Sequence, residues 1–118
     1  MSTRSAVYNL LKAAETDCYA LVAPQETTVP YVAYSMRREP VRTQDGLTEE
    51  VWLTLNIYAN THATCVTLAA TMYSGLEGKS GTYDSRSLII CNWVSESDGY
   101  IPELDKFVIT QEYQLRFI

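Results

Sequence analysis

Glu49-Glu-Val-Trp-Leu-Thr-Leu-Asn-Ile-Tyr58 decides how this chain is read, together with the Tyr31-Val-Ala-Tyr-Ser-Met36 run before it and the helical stripe that begins near His62. Val51, Leu53, Leu55 and Ile57 alternate with Trp52, Thr54, Asn56 and Tyr58. Strand side chains point to opposite faces in turn, so one set predicts a core face and the other a partly wet one. Asn60 or Thr61 then supplies an N-cap for a helix whose apolar positions Cys65, Leu68, Ala69, Met72 and Leu76 fall on one side. Gly75, Gly78 and Gly81 end it. The earlier run, rich in aromatic and β-branched residues and placed just after Pro30, predicts a first strand.

Outward from this stretch, residues 5–14 carry Val7, Leu10, Leu11 and Ala14 at the spacing of an amphipathic helix, with Ser2, Thr3 or Ser5 as N-cap. Residues 16–30 hold Pro24, Thr27-Thr28 and Pro30 and predict an irregular connection, with at most a short extended piece at residues 19–22. Between the first two strands, Arg37-Arg-Glu-Pro-Val-Arg-Thr-Gln-Asp-Gly-Leu-Thr48 predicts a long hairpin arm or loop: Pro40 lacks a ladder donor, and Asp45-Gly46 suits a positive φ. Residues 88–94 are apolar on both faces, which predicts a central strand, broken by Asp98-Gly99 and Pro102. Residues 106–117 alternate again, with Phe107, Ile109, Tyr113, Leu115 and Phe117 on one side and a lapse at Gln111.

The expected architecture is a single α+β domain over residues 1–118, an antiparallel or mixed β-sheet covered by two α-helices in the order α-β-β-α-β-β. Trp52 and Tyr58 then stand on the sheet's second face, which either the connections 16–30 and 37–48 or another protein chain covers.

A chain of 118 residues with 47% hydrophobic composition has material for one core. Lys plus Arg number 9 against 14 Asp plus Glu, a net charge of -5 that disfavours attraction to phosphate backbones, so no specific nucleic-acid partner is expected. The apolar runs 18–23 and 88–91 fall far short of the roughly 20 residues a membrane-spanning helix needs. The first residues lack the apolar region of a secretory signal, so no membrane partner and a cytoplasmic location are expected. Cys18, Cys65 and Cys91 are odd in number and widely spaced, unlike a disulfide framework or a zinc site, which predicts free thiols, two of them buried.

The search for chemistry finds little. His62 is the single histidine, and with Cys65 three residues on it offers half a metal site or a Cys-His couple, but no further ligand or orienting group is indicated. Glu49 and Glu50 are neighbours on a strand and point to opposite faces, while Glu96, Asp98, Glu103 and Asp105 sit around a turn. The glycines before and after Lys79-Ser80 follow a helix, whereas a phosphate loop joins a strand to a helix. No catalytic residue, metal or cofactor is expected. A small enzyme remains open only if His62 or Cys65 lies in a cleft.

One asymmetry survives. Arg37, Arg38 and Arg42 gather in the first long connection beside Asp45, while Glu96, Asp98, Glu103 and Asp105 crowd the last. Opposite-signed arms suit a head-to-tail contact between copies, and two solvated loops are the plainer reading. These residues, with Trp52 and Tyr58, are the candidate interface.

The run Pro30-Tyr-Val-Ala-Tyr34, then Glu39-Pro-Val-Arg-Thr-Gln-Asp-Gly-Leu47, Val51-Trp-Leu-Thr-Leu-Asn-Ile-Tyr-Ala59 and the helix from Leu68-Ala-Ala to Leu76-Glu-Gly78 resembles the small tail-completion proteins of long-tailed phages and prophages. These are also called tail terminators or head-tail joining proteins. Tyr8-Asn-Leu-Leu and Tyr113-Gln-Leu-Arg-Phe fit as well, so the resemblance spans nearly the whole chain. It implies a non-enzymatic ring of copies, typically six-fold, that caps the tail-tube protein and presents a surface to the head connector protein. By the same resemblance, the protein works in the bacterial host cytoplasm during assembly and then in the virion tail. Thr16-Asp-Cys18, where relatives place a glycine and arginine turn, and Cys65 inside the helix depart from the pattern. A small non-catalytic protein-binding module on the same scaffold is the alternative.

Overall fold

The computed structural model describes residues 3–14, 18–20, 30–43, 46–83, 86–103 and 105–118. They form α1 (Thr3–Ala14), β1 (Cys18–Ala20), β2 (Tyr31–Thr43), β3 (Gly46–Ala59), α2 (His62–Leu76), β4 (Gly81–Tyr83), β5 (Arg86–Ile101) and β6 (Lys106–Phe117). All six strands join one sheet in the order β1-β2-β3-β6-β5-β4. Only β1 and β2 run parallel; the other neighbours are antiparallel.

The centre of the sheet is β3 against β6, and their alternation builds the core. Val51, Leu53, Leu55 and Ile57 are wholly buried, opposite Leu115, Tyr113, Gln111 and Ile109 of β6. Burying each such aliphatic side chain is worth about 1.5–3 kcal/mol. Helix α2 lies on this concave face through Cys65, Leu68, Ala69, Met72 and Leu76, the positions its spacing predicts. Thr61 starts it by accepting the Thr64 N–H at 3.2 Å. At the other end the Glu77 N–H bonds the Tyr73 carbonyl at 2.9 Å, and Gly78 turns away at a φ of 73°. Helix α1 packs onto α2 through Ala6, Val7, Leu10 and Leu11.

This overturns the expected α+β arrangement of a sheet covered by two helices in the order α-β-β-α-β-β. Strands make up 62% of the described residues, and the antiparallel ones curl into a half-barrel around two short helices. The difference comes from segments whose composition suggests loops. Pro40 stands opposite Glu49 in an unbroken β2–β3 ladder that runs from the Tyr31–Tyr58 pair to the Thr43–Gly46 pair. Among the described residues β1 flanks β2 only at residues 32–34, so at Pro40 β2 is an edge strand, the setting in which a sheet tolerates a proline. Likewise β5 continues through Asp98-Gly99. A Cβ at Gly99 would stand 3.2 Å from Cγ1 of Val108 on β6, so this glycine permits close strand approach and is not a turn. The described turn residues are 102, 103 and 105, with Asp105 at a φ of 51°.

Two further expectations change. β5 is not central: among the described residues its outer side pairs with a strand only at residues 86–88, through β4. Gln111 is no lapse, because it sits on the core face of β6 and is wholly buried. All three cysteines are free and buried. No helix among the described residues is long and apolar enough to cross a membrane.

Candidate interaction surface

The residues singled out by sequence fall into two groups at opposite sides of the sheet. On β2 and β3, Arg37 and Trp52 are cross-strand partners, with the guanidinium 5.5 Å from the indole ring centre. The Trp52 Nε1–H is buried without a hydrogen-bond partner among the described residues. Further along the same face, Tyr31 and Tyr58 are also cross-strand partners, with ring centres 5.2 Å apart. The arginines are not bare charges. Arg37 pairs with Glu39, and Arg38 donates to Glu49 at 2.7 Å, which pushes the Arg38 pKa further up. The Arg42 side chain and Asp45 lie outside the described residues.

The acidic group belongs to β5 and the turn after it. Asp98 meets His62 Nε2 at 2.9 Å, Asp105 accepts from the Tyr100 hydroxyl, and Glu103 is exposed in the turn. His62 and Cys65 do not converge: the Cys65 thiol turns inward and donates to the Ile57 carbonyl at 3.0 Å. Burial pushes the Cys65 thiol pKa up, and that of Cys91 up to about 12 with the Glu77 carboxylate adding to it, so neither supplies a ready thiolate. No cluster of three or more potential metal ligands occurs among the described residues.

What the sequence reading missed is a groove between α2 and β5. Val66, Ala70 and Tyr73 line it from the helix, Trp93, Glu96 and Asp98 from the strand, and Ile109 of β6 from beneath, around a volume of about 340 Å³. Tyr73 and Trp93 meet edge to face, with ring centres 5.9 Å apart at 86°. The groove continues an exposed apolar band: Ile89, Ile90, Trp93 and Val94 are each 41–46% exposed. Such a band on a small domain makes this the candidate contact surface.

Gln111 organises one wall. Its Nε2 donates to the Ala69 carbonyl at 3.0 Å and to Glu96 Oε1 at 2.7 Å, while its Oε1 accepts from the Tyr113 hydroxyl at 3.0 Å. Burial, with Cys91, Glu96 and Glu77 nearby, holds the Tyr113 pKa well above its usual value, so the phenol stays a donor. A buried amide thus fastens α2 to β6 and holds one oxygen of Glu96 at the groove. The signal in the sequence is the one polar residue in an otherwise apolar register on β6.

No protein-family model matches the sequence, and no curated protein matches it. A solved chain from the structure titled "Virion of native gene transfer agent (GTA) particle" does share its architecture. The TM-score is 0.79 at 18% identity, over 98% of this chain and 94% of that one. That likeness establishes the fold.

Proposed function

We propose that this chain is a structural protein of a phage-like particle, and within that class a tail-completion protein that forms a ring, caps the tail tube and contributes to head-tail joining. The observation that carries the proposal is the match, nearly end to end in both chains, to a chain of a virion particle. The sequence resemblance to tail-completion proteins points the same way, and the exposed apolar band on β5 supplies material for subunit contact. On this reading the chain is not an enzyme; its partners are other copies of itself, most simply six in a ring, the tail-tube protein and the head connector protein. It works in the host cytoplasm during assembly and then in the virion tail.

Particles assembled without the chain test the proposal. Electron micrographs are expected to show tails of irregular, extended length that fail to join heads, and adding the purified protein restores uniform tails. Tails of normal length that join heads without it would contradict the proposal. The α2–β5 groove favours one second reading, a binding module without a ring. A ring in negative stain separates the two.

A further inference from the structure

Within the ring reading, on which this rests, we infer that the groove between α2 and β5 of one copy receives the β2 arm of the next copy, with Arg38, which shares a sheet face with Val51, Glu96 and Asp98, facing those two carboxylates. Four observations converge on this occupant.

The groove is apolar along its walls and acidic at its edge, and it lies beside the part of β5 that no described strand covers. Up to Trp93 the outer side of β5 is occupied: Gly78 donates to the Cys91 carbonyl at 2.8 Å, and the Trp93 N–H donates to the Glu77 carboxylate. From Ser95 onward no described residue takes that place. An exposed edge beside an apolar groove invites an added strand or ribbon.

Charge selects what lies there. A second β5 edge would bring Glu96 and Asp98 against their own copies, which rules against a two-fold pairing. The densest run of basic residues in the chain is Arg37, Arg38 and Arg42, all on β2. Arg38, on the face that matches Glu96 and Asp98, has a side chain 37% exposed and uses Nη2 on Glu49. A guanidinium carries five N–H donors, so it can keep that bond and still take a second carboxylate.

Geometry makes the contact intermolecular. β2 and β5 are separated in the sheet by β3 and β6, so no copy reaches its own groove with its own arm. Two different patches that cannot meet within one copy form a heterologous contact, the kind that closes rings. The strand directions agree: β2 is antiparallel to β3, β3 to β6 and β6 to β5. β2 and β5 therefore run in opposite directions, and copies related by rotation about an axis along the strands place them antiparallel across the joint.

Finally, the receiving carboxylate is held in place. Gln111, wholly buried, grips one Glu96 oxygen at 2.7 Å, so little side-chain freedom is lost when a guanidinium arrives.

The test uses the full chain and mass measured by sedimentation. Ala70→Arg and, one turn along α2, Ser74→Arg each plug the groove from an exposed position; the double variant Arg37→Glu, Arg38→Glu reverses the arm. The two groove variants are expected to keep the wild-type melting profile, whereas the arm variant melts lower because it breaks the Arg38–Glu49 pair, and each weakens self-association about tenfold or more. The decisive arm mixes Ala70→Arg, whose arm is intact, with the arm-reversed variant, whose groove is intact. A one-to-one dimer that grows no further is expected, because one good joint remains between them. A mixture that stays monomeric, or plugged variants that form wild-type assemblies, overturns the inference. In the latter case rings persist and the ring reading stands, whereas a wild-type chain that never assembles, alone or with tube protein, brings down both.

Discussion

β5 and β6 are neighbours in the sheet, both long and both rich in apolar residues, yet they serve opposite ends. In β6 every second residue from Ile109 to Phe117 is buried, and the intervening ones are polar and face outward. In β5 the apolar residues come in adjacent pairs, Ile89-Ile90 and Trp93-Val94, so no register could bury them all in one core. The lesson is that alternation reports what a chain buries within itself. Apolar content without alternation reports surface left for another molecule. β6 holds the monomer together, and β5 carries the exposed apolar surface on which the proposed contacts rest.

The contrast can be broken by substitution. Phe117→Ala, at the buried end of β6, is expected to cost about 3–5 kcal/mol in denaturant unfolding; a loss under 1 kcal/mol would mean that β6 is not the centre it is drawn as. Next comes alkaline pH. The folded Cys91 thiol, pushed up to about 12, keeps a proton that the unfolded chain gives up near 9, so its contribution is full below pH 9 and lost as pH rises through about 12. This thiol alone should lower stability by about 1 kcal/mol per pH unit across that window, and Cys91→Ala should remove that share, leaving what the raised Tyr113 phenol adds above pH 10. A wild-type slope unchanged in the variant would remove Cys91 from the account.

Gln111→Leu strands the Tyr113 hydroxyl and frees Glu96, with an expected cost of about 1–3 kcal/mol. It also weakens self-association, because the groove loses its fixed carboxylate. The smallest effect on the monomer, about 0.5–1.5 kcal/mol from the lost contact with Tyr73, is expected for Trp93→Ser on β5, although the same change should impair assembly. If Trp93→Ser destabilises the monomer as much as a β6 core change does, the division of labour between the strands fails.

Much of this was legible in the residues. The buried faces of β3 and α2 follow from Val51, Leu53, Leu55, Ile57 and from Cys65, Leu68, Ala69, Met72, Leu76, because local periodicity and burial agree there. The extents of the hairpins were not legible. Pro40 and Gly99 are turn-forming by local preference, but tertiary context overrides it: Pro40 lies opposite Glu49 of β3 where the other side of β2 has no described strand, and Gly99 lies where β6 presses close. The groove was invisible for another reason. It brings residues of α2 and β5 together across a chain separation that no local pattern encodes, and Gln111, its organiser, reads as an interruption until β6 is seen in register. The charged residues were found, but their own partners, Glu39 and Glu49 for the arginines and His62 for Asp98, were not.

The central claim is that this chain acts by assembling with copies of itself at the end of a tail tube. Its most direct test is the mass of the protein in solution, alone and after mixing with the tail-tube protein, by sedimentation or native mass spectrometry. The account predicts a discrete ring, six copies in the simplest case, formed alone or on the tube end. A strict monomer at every concentration that ignores the tube protein would contradict it.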